Sequence, residues 1–175
     1  MDYHFRTIAT NSAGVDTSAD NVIATAEAPF GWASQSSGVT NELFDVQFLS
    51  QNIGLAGGYA GLLRTTNGGS NWNQVSTPSG SYFFGISFPD ASHGWVASNS
   101  GIILRSNDAG ASWTSQTSNT GNWLYGVSFF DSSNGIAVGD GGTVVRTTNG
   151  GTTWSSQQLS GYSNTLQGVR YINST

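Results

Sequence analysis

Thr65-Thr66-Asn67-Gly68-Gly69-Ser70-Asn71-Trp72, Ser106-Asn107-Asp108-Ala109-Gly110-Ala111-Ser112-Trp113 and Thr147-Thr148-Asn149-Gly150-Gly151-Thr152-Thr153-Trp154 are three copies of one octet. Their tryptophans stand 41 residues apart, and Arg64, Arg105 and Arg146 directly precede the copies. A fixed period of this size means one supersecondary unit repeated in tandem. The octet reads as a hairpin turn. Asn67-Gly68 and Asn149-Gly150 are dipeptides of the type I′ turn, in which both central residues need positive φ. The Asn or Asp side chain can accept bonds from backbone N–H groups, and the tryptophan can bury its ring beneath the loop.

Working outward, an aromatic residue follows Trp32, Trp72 and Trp113 by sixteen residues and ends a strand pattern. Phe44/Val46/Phe48, Phe84/Ile86/Phe88 and Tyr125/Val127/Phe129 alternate with Gly, Ser, Asp or Gln, which predicts one apolar face and one of close strand approach. Leu166-Gln167-Gly168-Val169-Arg170-Tyr171 is a fourth copy. A second strand is expected from Gly54, Gly94 and Gly135, and a third over 62–65, 102–106 and 143–147. The fourth follows each octet. Four strands in about 41 residues match one blade of a β-propeller, so the expected fold is all-β.

The pattern Ser/Thr-x-Asp/Asn-x-Gly-x-Ser/Thr-Trp resembles the Asp-box, or bacterial neuraminidase repeat. The wider pattern resembles the propellers of the photosystem II stability and assembly factor family, over roughly residues 32–175. Asn71 and Ala109 depart mildly from it. Residues 1–26 resemble the last strands of a fibronectin type III domain (Tyr3-His4-Phe5-Arg6 through Ala13-Gly14, then Asn21 to Ala26), with 27–31 as linker. Both modules look cut. The expectation is three complete blades flanked by an outer strand at Trp32 and an inner strand at 166–171, either part of a longer chain or completed by pairing with another copy.

Composition narrows function. Of 175 residues only 9% are charged, with five arginines, no lysine and a net charge of −5. A basic footprint for nucleic acid or anionic lipid is missing. With no cysteine, thiolate metal sites are excluded, and His4 and His93 have no ligand spacing around them. No metal or cofactor is expected. No apolar run is long enough to span a membrane as a helix.

Glycosidases use paired carboxylates, and the candidates are Glu42, Asp45, Asp90, Asp108, Asp131 and Asp140. Asp90 and Asp131 recur in turns and Asp108 is the box residue. Asp45 is expected beside a central channel, hydrated. Asn67, Gly69, Trp72, Asp108, Gly110, Trp113, Asn149, Gly151 and Trp154 are expected to build the fold, not a site. The functional lead is the arc of Arg64, Arg105 and Arg146, for which the assembly-factor resemblance implies an anion or a chain carboxyl terminus. Each arginine can instead bond a local carbonyl or pack over an aromatic ring. Trp95 is expected in the core and Trp123 as an exposed contact for protein or sugar. The expected protein is a non-catalytic binding module of a larger secreted or cell-surface bacterial protein, with a protein or glycan ligand. The alternatives are an assembly factor for a membrane-protein precursor and a fragment of a carbohydrate-active enzyme.

Overall fold

Alternating apolar residues and glycine-marked turns give twelve short strands in the computed structural model, which describes residues 34–80 and 82–172. The regions expected as fibronectin-like strands, linker and the Trp32 strand fall outside those residues. Strands β1 (Leu43–Phe48), β2 (Gly54–Gly58), β3 (Gly61–Thr65) and β4 (Asn73–Gln74) form one antiparallel meander. The second contains β5 (Phe83–Ser87), β6 (Gly94–Ser98), β7 (Ile102–Ser106) and β8 (Thr114–Thr117). The third contains β9 (Leu124–Phe129), β10 (Gly135–Gly139), β11 (Thr143–Thr147) and β12 (Ser155–Gln158). These are three four-stranded blades of a partial β-propeller.

Register gives each blade two ends. At one, the start of the inner strand faces the hairpin between the second and third strands, as in Leu43↔Gly58 and Gly58↔Gly61. At the other, Phe48↔Gly54 and Gly54↔Thr65 bring the inner strand's last residue beside the box. There the ring of Phe48 meets Trp72 edge-on at 5.9 Å, as Phe88 meets Trp113 at 6.0 Å and Phe129 meets Trp154 at 5.8 Å. Each phenylalanine lies over a glycine (Gly54, Gly94, Gly135), where a Cβ would strike its ring. That contact is why the second strand begins with glycine.

Blades bury their apolar faces against one another. Leu55 and Leu62 of the first pack on Ile86, Phe88, Val96 and Leu104 of the second. Trp95, Ala97 and Ile103 of the second pack on Leu124, Val127, Phe129 and Val145 of the third. Trp95 is a core residue, fully buried and stacked on Phe129 with centroids 3.6 Å apart. Such pairs add about 0.5–1.5 kcal/mol beyond area burial.

The inner strands approach closely on the other face. A Cβ on Gly85 would lie 2.9 Å from Tyr125 O, and one on Gly126 would lie 2.9 Å from the Gly168 Cα. Side chains lace the same seam: Phe88 N–H donates to Gln47 Oε1 (3.0 Å), Phe129 N–H to Ser87 Oγ (2.9 Å) and Tyr171 N–H to Ser128 Oγ (3.0 Å). Asp45, expected as a hydrated channel residue, belongs to this lacing. Its Oδ2 accepts Ile86 N–H at 2.7 Å, taking the place that Gly85 and Gly126 hold in the other blades. The fourth copy, 166–171, occupies the next inner position beside β9 but forms no ladder among the described residues.

The octet turn differs from the expected type I′ geometry. The left-handed pair is Gly68/Gly69 (φ 70° and 89°), Ala109/Gly110 (57° and 76°) and Gly150/Gly151 (66° and 82°), one position later than Asn-Gly predicts. The cause is the Asn or Asp side chain, which closes the loop forward onto a residue four places on. Asn67 Oδ1 accepts Asn71 N–H, Asp108 Oδ1 accepts Ser112 N–H and Asn149 Oδ1 accepts Thr153 N–H, all at 2.9 Å.

Candidate functional site

The residues expected to bind lie at opposite ends of the blades. Arg64, Arg105 and Arg146 sit on third strands one residue before the box, paired with Leu55, Trp95 and Ile136. Trp123 sits at the other end, where its carbonyl accepts Asp140 N–H at 3.0 Å. At about 3.3 Å per strand residue, the ends are on the order of 15 Å apart. One ligand contacting Trp123 and the arginines together would have to run the length of a blade.

Each arginine crosses to the structure that follows its blade. Arg64 Nε donates to Ala109 O of the next box at 3.0 Å. Arg105 reaches the equivalent residue, Gly150, but its carbonyl is already taken by Gln116 Nε2 (3.0 Å) and Trp95 Nε1 (3.3 Å). A carbonyl has two lone pairs. Arg105 Nε is accordingly buried without a partner among the described residues, and the guanidinium lies 5.6 Å over Trp95. Exposed Arg146 donates to Tyr171 Oη at 3.0 Å and lies 5.9 Å over its ring.

Gln35 Nε2 donates to Gly68 O at 3.3 Å, the first box's counterpart of these ties. Gln35 and Gln116 stand three residues after Trp32 and Trp113. The fourth carbonyl of every box is therefore bonded from the chain that precedes its blade.

The box interiors are closed hydrogen-bond rings. Buried Thr65, Ser106 and Thr147 accept the N–H of Gly69, Gly110 and Gly151 at 2.8–2.9 Å and donate to the Asn or Asp of their own box. Asp108 also accepts Ser112 Oγ–H at 2.6 Å. Burial pushes its pKa up, but bonds from Ser112, Ser106 and Ala111 outweigh this and hold it below the ordinary value.

Asp90 and Asp131 accept the backbone N–H groups of Ser92/His93 and Ser133/Asn134 at 2.7–2.8 Å. Asp90 is lowered in the same way, burial being outweighed by His93 and Ser92. The Asn134 side chain leads the lowering of Asp131. His93 Nδ1 pairs with Asp90 at 2.9 Å. Among the described residues no cluster of three or more His, Asp or Glu is placed to hold a metal.

At the hairpin end the blades pool their aromatics. Phe44 contacts Tyr59 (4.7 Å) and Phe84 (5.2 Å), Tyr59 contacts Tyr82 (5.0 Å), and Tyr82 contacts Trp123 (5.9 Å). Trp123 stacks on Phe84 at 5.8 Å, and Phe84 meets Tyr125 at 4.8 Å. Two hollows, of about 300 and 470 Å³, open on either side of Tyr59. Asn41 and Gln167 rim them, and Tyr125 Oη lies 3.5 Å from Asp140 Oδ2. Burial, then the Asp140 carboxylate, raises the Tyr125 phenol above its ordinary value.

Tyr59 and Tyr82 were not legible as site residues, because nothing in a single strand pattern joins three blades. The available signal was that Tyr82 and Trp123 stand 41 residues apart, at one register position.

Four-stranded meanders repeated around laced inner strands, each closed by this box, define an Asp-box β-propeller. A model of the photosynthesis system II assembly factor YCF48 family matches residues 24–121, more than half of the chain. The chain belongs to that family. Its fold is similar to that of YCF48 bound to a D1 peptide (TM-score 0.59, 21% identity, 69% of this chain and 40% of that one). It is also similar to YCF48 from Cyanidioschyzon merolae (0.56, 24%, 66% and 37%). An ancestral GH74 enzyme is similar at 0.57 and 25% identity over 73% of this chain and 20% of that one. The chain thus spans two fifths or less of the length of these proteins. No curated protein matches it in sequence.

Proposed function

We propose that this chain is a non-catalytic, protein-binding part of a propeller, and that an extended peptide lies across its aromatic end. The observation that carries this reading is the continuous group of six rings, Phe44, Tyr59, Tyr82, Phe84, Trp123 and Tyr125, drawn from three blades. Tyr and Trp offer large apolar area with a polar edge, the composition of protein-binding hot spots. Phe44, Tyr59 and Tyr82 are exposed, Trp123 and Tyr125 are half-buried and Phe84 is buried among them, and contiguous exposed aromatic side chains can mark partner sites. Family membership supports a protein partner, and by analogy with YCF48 and its D1 peptide the partner would be a segment of a membrane-protein precursor. The fibronectin-like pattern of residues 1–26 and the absence of lysine and cysteine support the other setting instead, a larger secreted or cell-surface bacterial protein with a protein or glycan ligand, and speak against the assembly-factor one.

A second reading gives recognition to the arginine register, with a carboxylate as ligand, and exposed Arg146 favours it. A peptide array of precursor segments that includes a D1 peptide separates the two. Trp123→Ala and Tyr59→Ala are expected to weaken binding at least tenfold, about 1.4 kcal/mol each, while the triple Arg64→Gln, Arg105→Gln, Arg146→Gln variant binds as before. The reverse result would transfer the site to the arginines. Cleavage of members of a glycan panel would overturn the non-catalytic reading in favour of a carbohydrate-active enzyme.

A further inference from the structure

We infer that the aromatic end holds its peptide through a basic side chain, arginine or lysine, seated in the hollow between Phe44, Tyr59, Phe84 and Tyr125. This rests on the peptide reading above and adds to it the chemistry of the residue recognised. The hollow has a volume of about 300 Å³. Phe44, Phe84 and Tyr125 hold one register position on successive inner strands, and Tyr59 comes from the hairpin between β2 and β3. The Tyr59 ring stands at 89° to Phe44 and 85° to Phe84, and Phe84 is tilted by 53° to Tyr125. Rings set at right angles form the corner of a box, the arrangement in which cations are held against aromatic faces.

Charge is sorted between the two ends of the blades. Arg64, Arg105 and Arg146 directly precede the boxes. Arg170 is level with Arg146, since Tyr171 N–H bonds Ser128 Oγ and Ser128 pairs with Ile136, the partner of Arg146. The hairpin end instead carries carboxylates. Glu42 is exposed there, its carbonyl accepting Tyr59 N–H at 3.0 Å, and Asp140 opens the turn between β10 and β11.

At the box end the molecule lays its own cations on rings, Arg105 over Trp95 and Arg146 over Tyr171. Among the described residues the rings of the hairpin end have no such cation. Nor does any arginine pair with Asp140. Its Oδ1 accepts Thr165 Oγ1–H at 2.8 Å, and its Oδ2 lies 3.5 Å from Tyr125 Oη at the edge of the hollow. An ionised carboxylate has about four lone-pair sites, so Asp140 can still accept N–H bonds from a cation seated beside Tyr125. An apolar side chain would fill the hollow without answering that charge, and an acidic one would be repelled by it.

Calorimetric titration of the full chain tests this with a nonapeptide held constant except at its centre, which is Arg, Lys, citrulline, Leu or Glu. Citrulline keeps the shape of arginine and removes the charge. The Arg and Lys peptides are expected to bind about tenfold more tightly than the citrulline and Leu peptides, with the Glu peptide weakest. Raising sodium chloride from about 0.05 to about 0.5 M should shrink the preference. Asp140→Asn copies Asn99, which opens the equivalent turn of the second blade, so thermal unfolding should stay at the wild-type value. It should erase most of the Arg-over-citrulline difference and leave the citrulline peptide's affinity unchanged. Tyr59→Leu keeps apolar bulk without the π face, and should weaken the Arg peptide more than the Leu peptide. Equal binding of all five peptides would overturn the inference and leave the peptide reading standing. A preference for Glu would overturn it in favour of the arginine register. If segments of the precursor array bind and no member of this series does, the inference falls alone; if nothing binds, the peptide reading falls with it.

Discussion

The hydroxyl that opens each box carries more of the turn than its size suggests. Thr147 Oγ1 accepts Gly151 N–H at 2.8 Å and Asn149 N–H at 3.3 Å, and donates to Asn149 Oδ1 at 3.0 Å, while only 2% exposed. Thr147→Val keeps the shape and removes all three bonds, leaving a buried N–H unsatisfied. The expected loss is about 1–3 kcal/mol, read as a drop in the chemical-denaturation midpoint without change in slope. Serine performs the same task at position 106, so Thr147→Ser should restore most of it. These roles were legible from the octet alone, because the bonds run between residues two to four apart. The position of the left-handed pair was not, since it depends on how the Asn or Asp side chain closes the loop.

Blades hold together by two kinds of contact, apolar faces on one side and backbone-close inner strands on the other. Gly85 measures the second kind. An added methyl would lie 2.9 Å from Tyr125 O and 3.0 Å from Val127 N, and backbone atoms cannot rotate away as a side chain can. Gly85→Ala is expected to destabilise by about 1–3 kcal/mol, whereas Gly168→Ala, its register mate in open space, should leave the unfolding midpoint unchanged. Equilibrium denaturation of the two variants side by side checks this. The strands themselves were readable from alternation. Asp45 was not, because its partner is the Ile86 N–H on the next blade, and no spacing within one strand reveals that the next strand arrives within 2.7 Å.

Over the whole molecule, acid should be the condition that loosens the fold. Asp90, Asp108 and Asp131 each have a folded pKa below the ordinary value. Their contribution is therefore present above the unfolded carboxylate value of about 3.9 and is lost as pH falls through the folded values. Thermal melts should hold steady from pH 7 to about 5 and fall below about pH 4. Asp108→Asn, which copies the boxes at 67 and 149, should keep the fold and flatten part of that acid limb; an unaltered pH profile would remove Asp108 from the set.

By itself the sequence determined the repeat, the four-stranded blade and the identity of the residues that close each turn, because hydrophobic alternation and short-range hydrogen bonds are local. Only the tertiary structure decided what the repeats do to one another. It tied Arg64 to the next box, left Arg105 Nε buried without a partner among the described residues, set Trp123 at the far end from the arginines and gathered six rings into one cluster. Those outcomes depend on residues of different blades meeting, and the rotation that brings one blade onto the next is a property of the packed sheets, carried by no single stretch of chain.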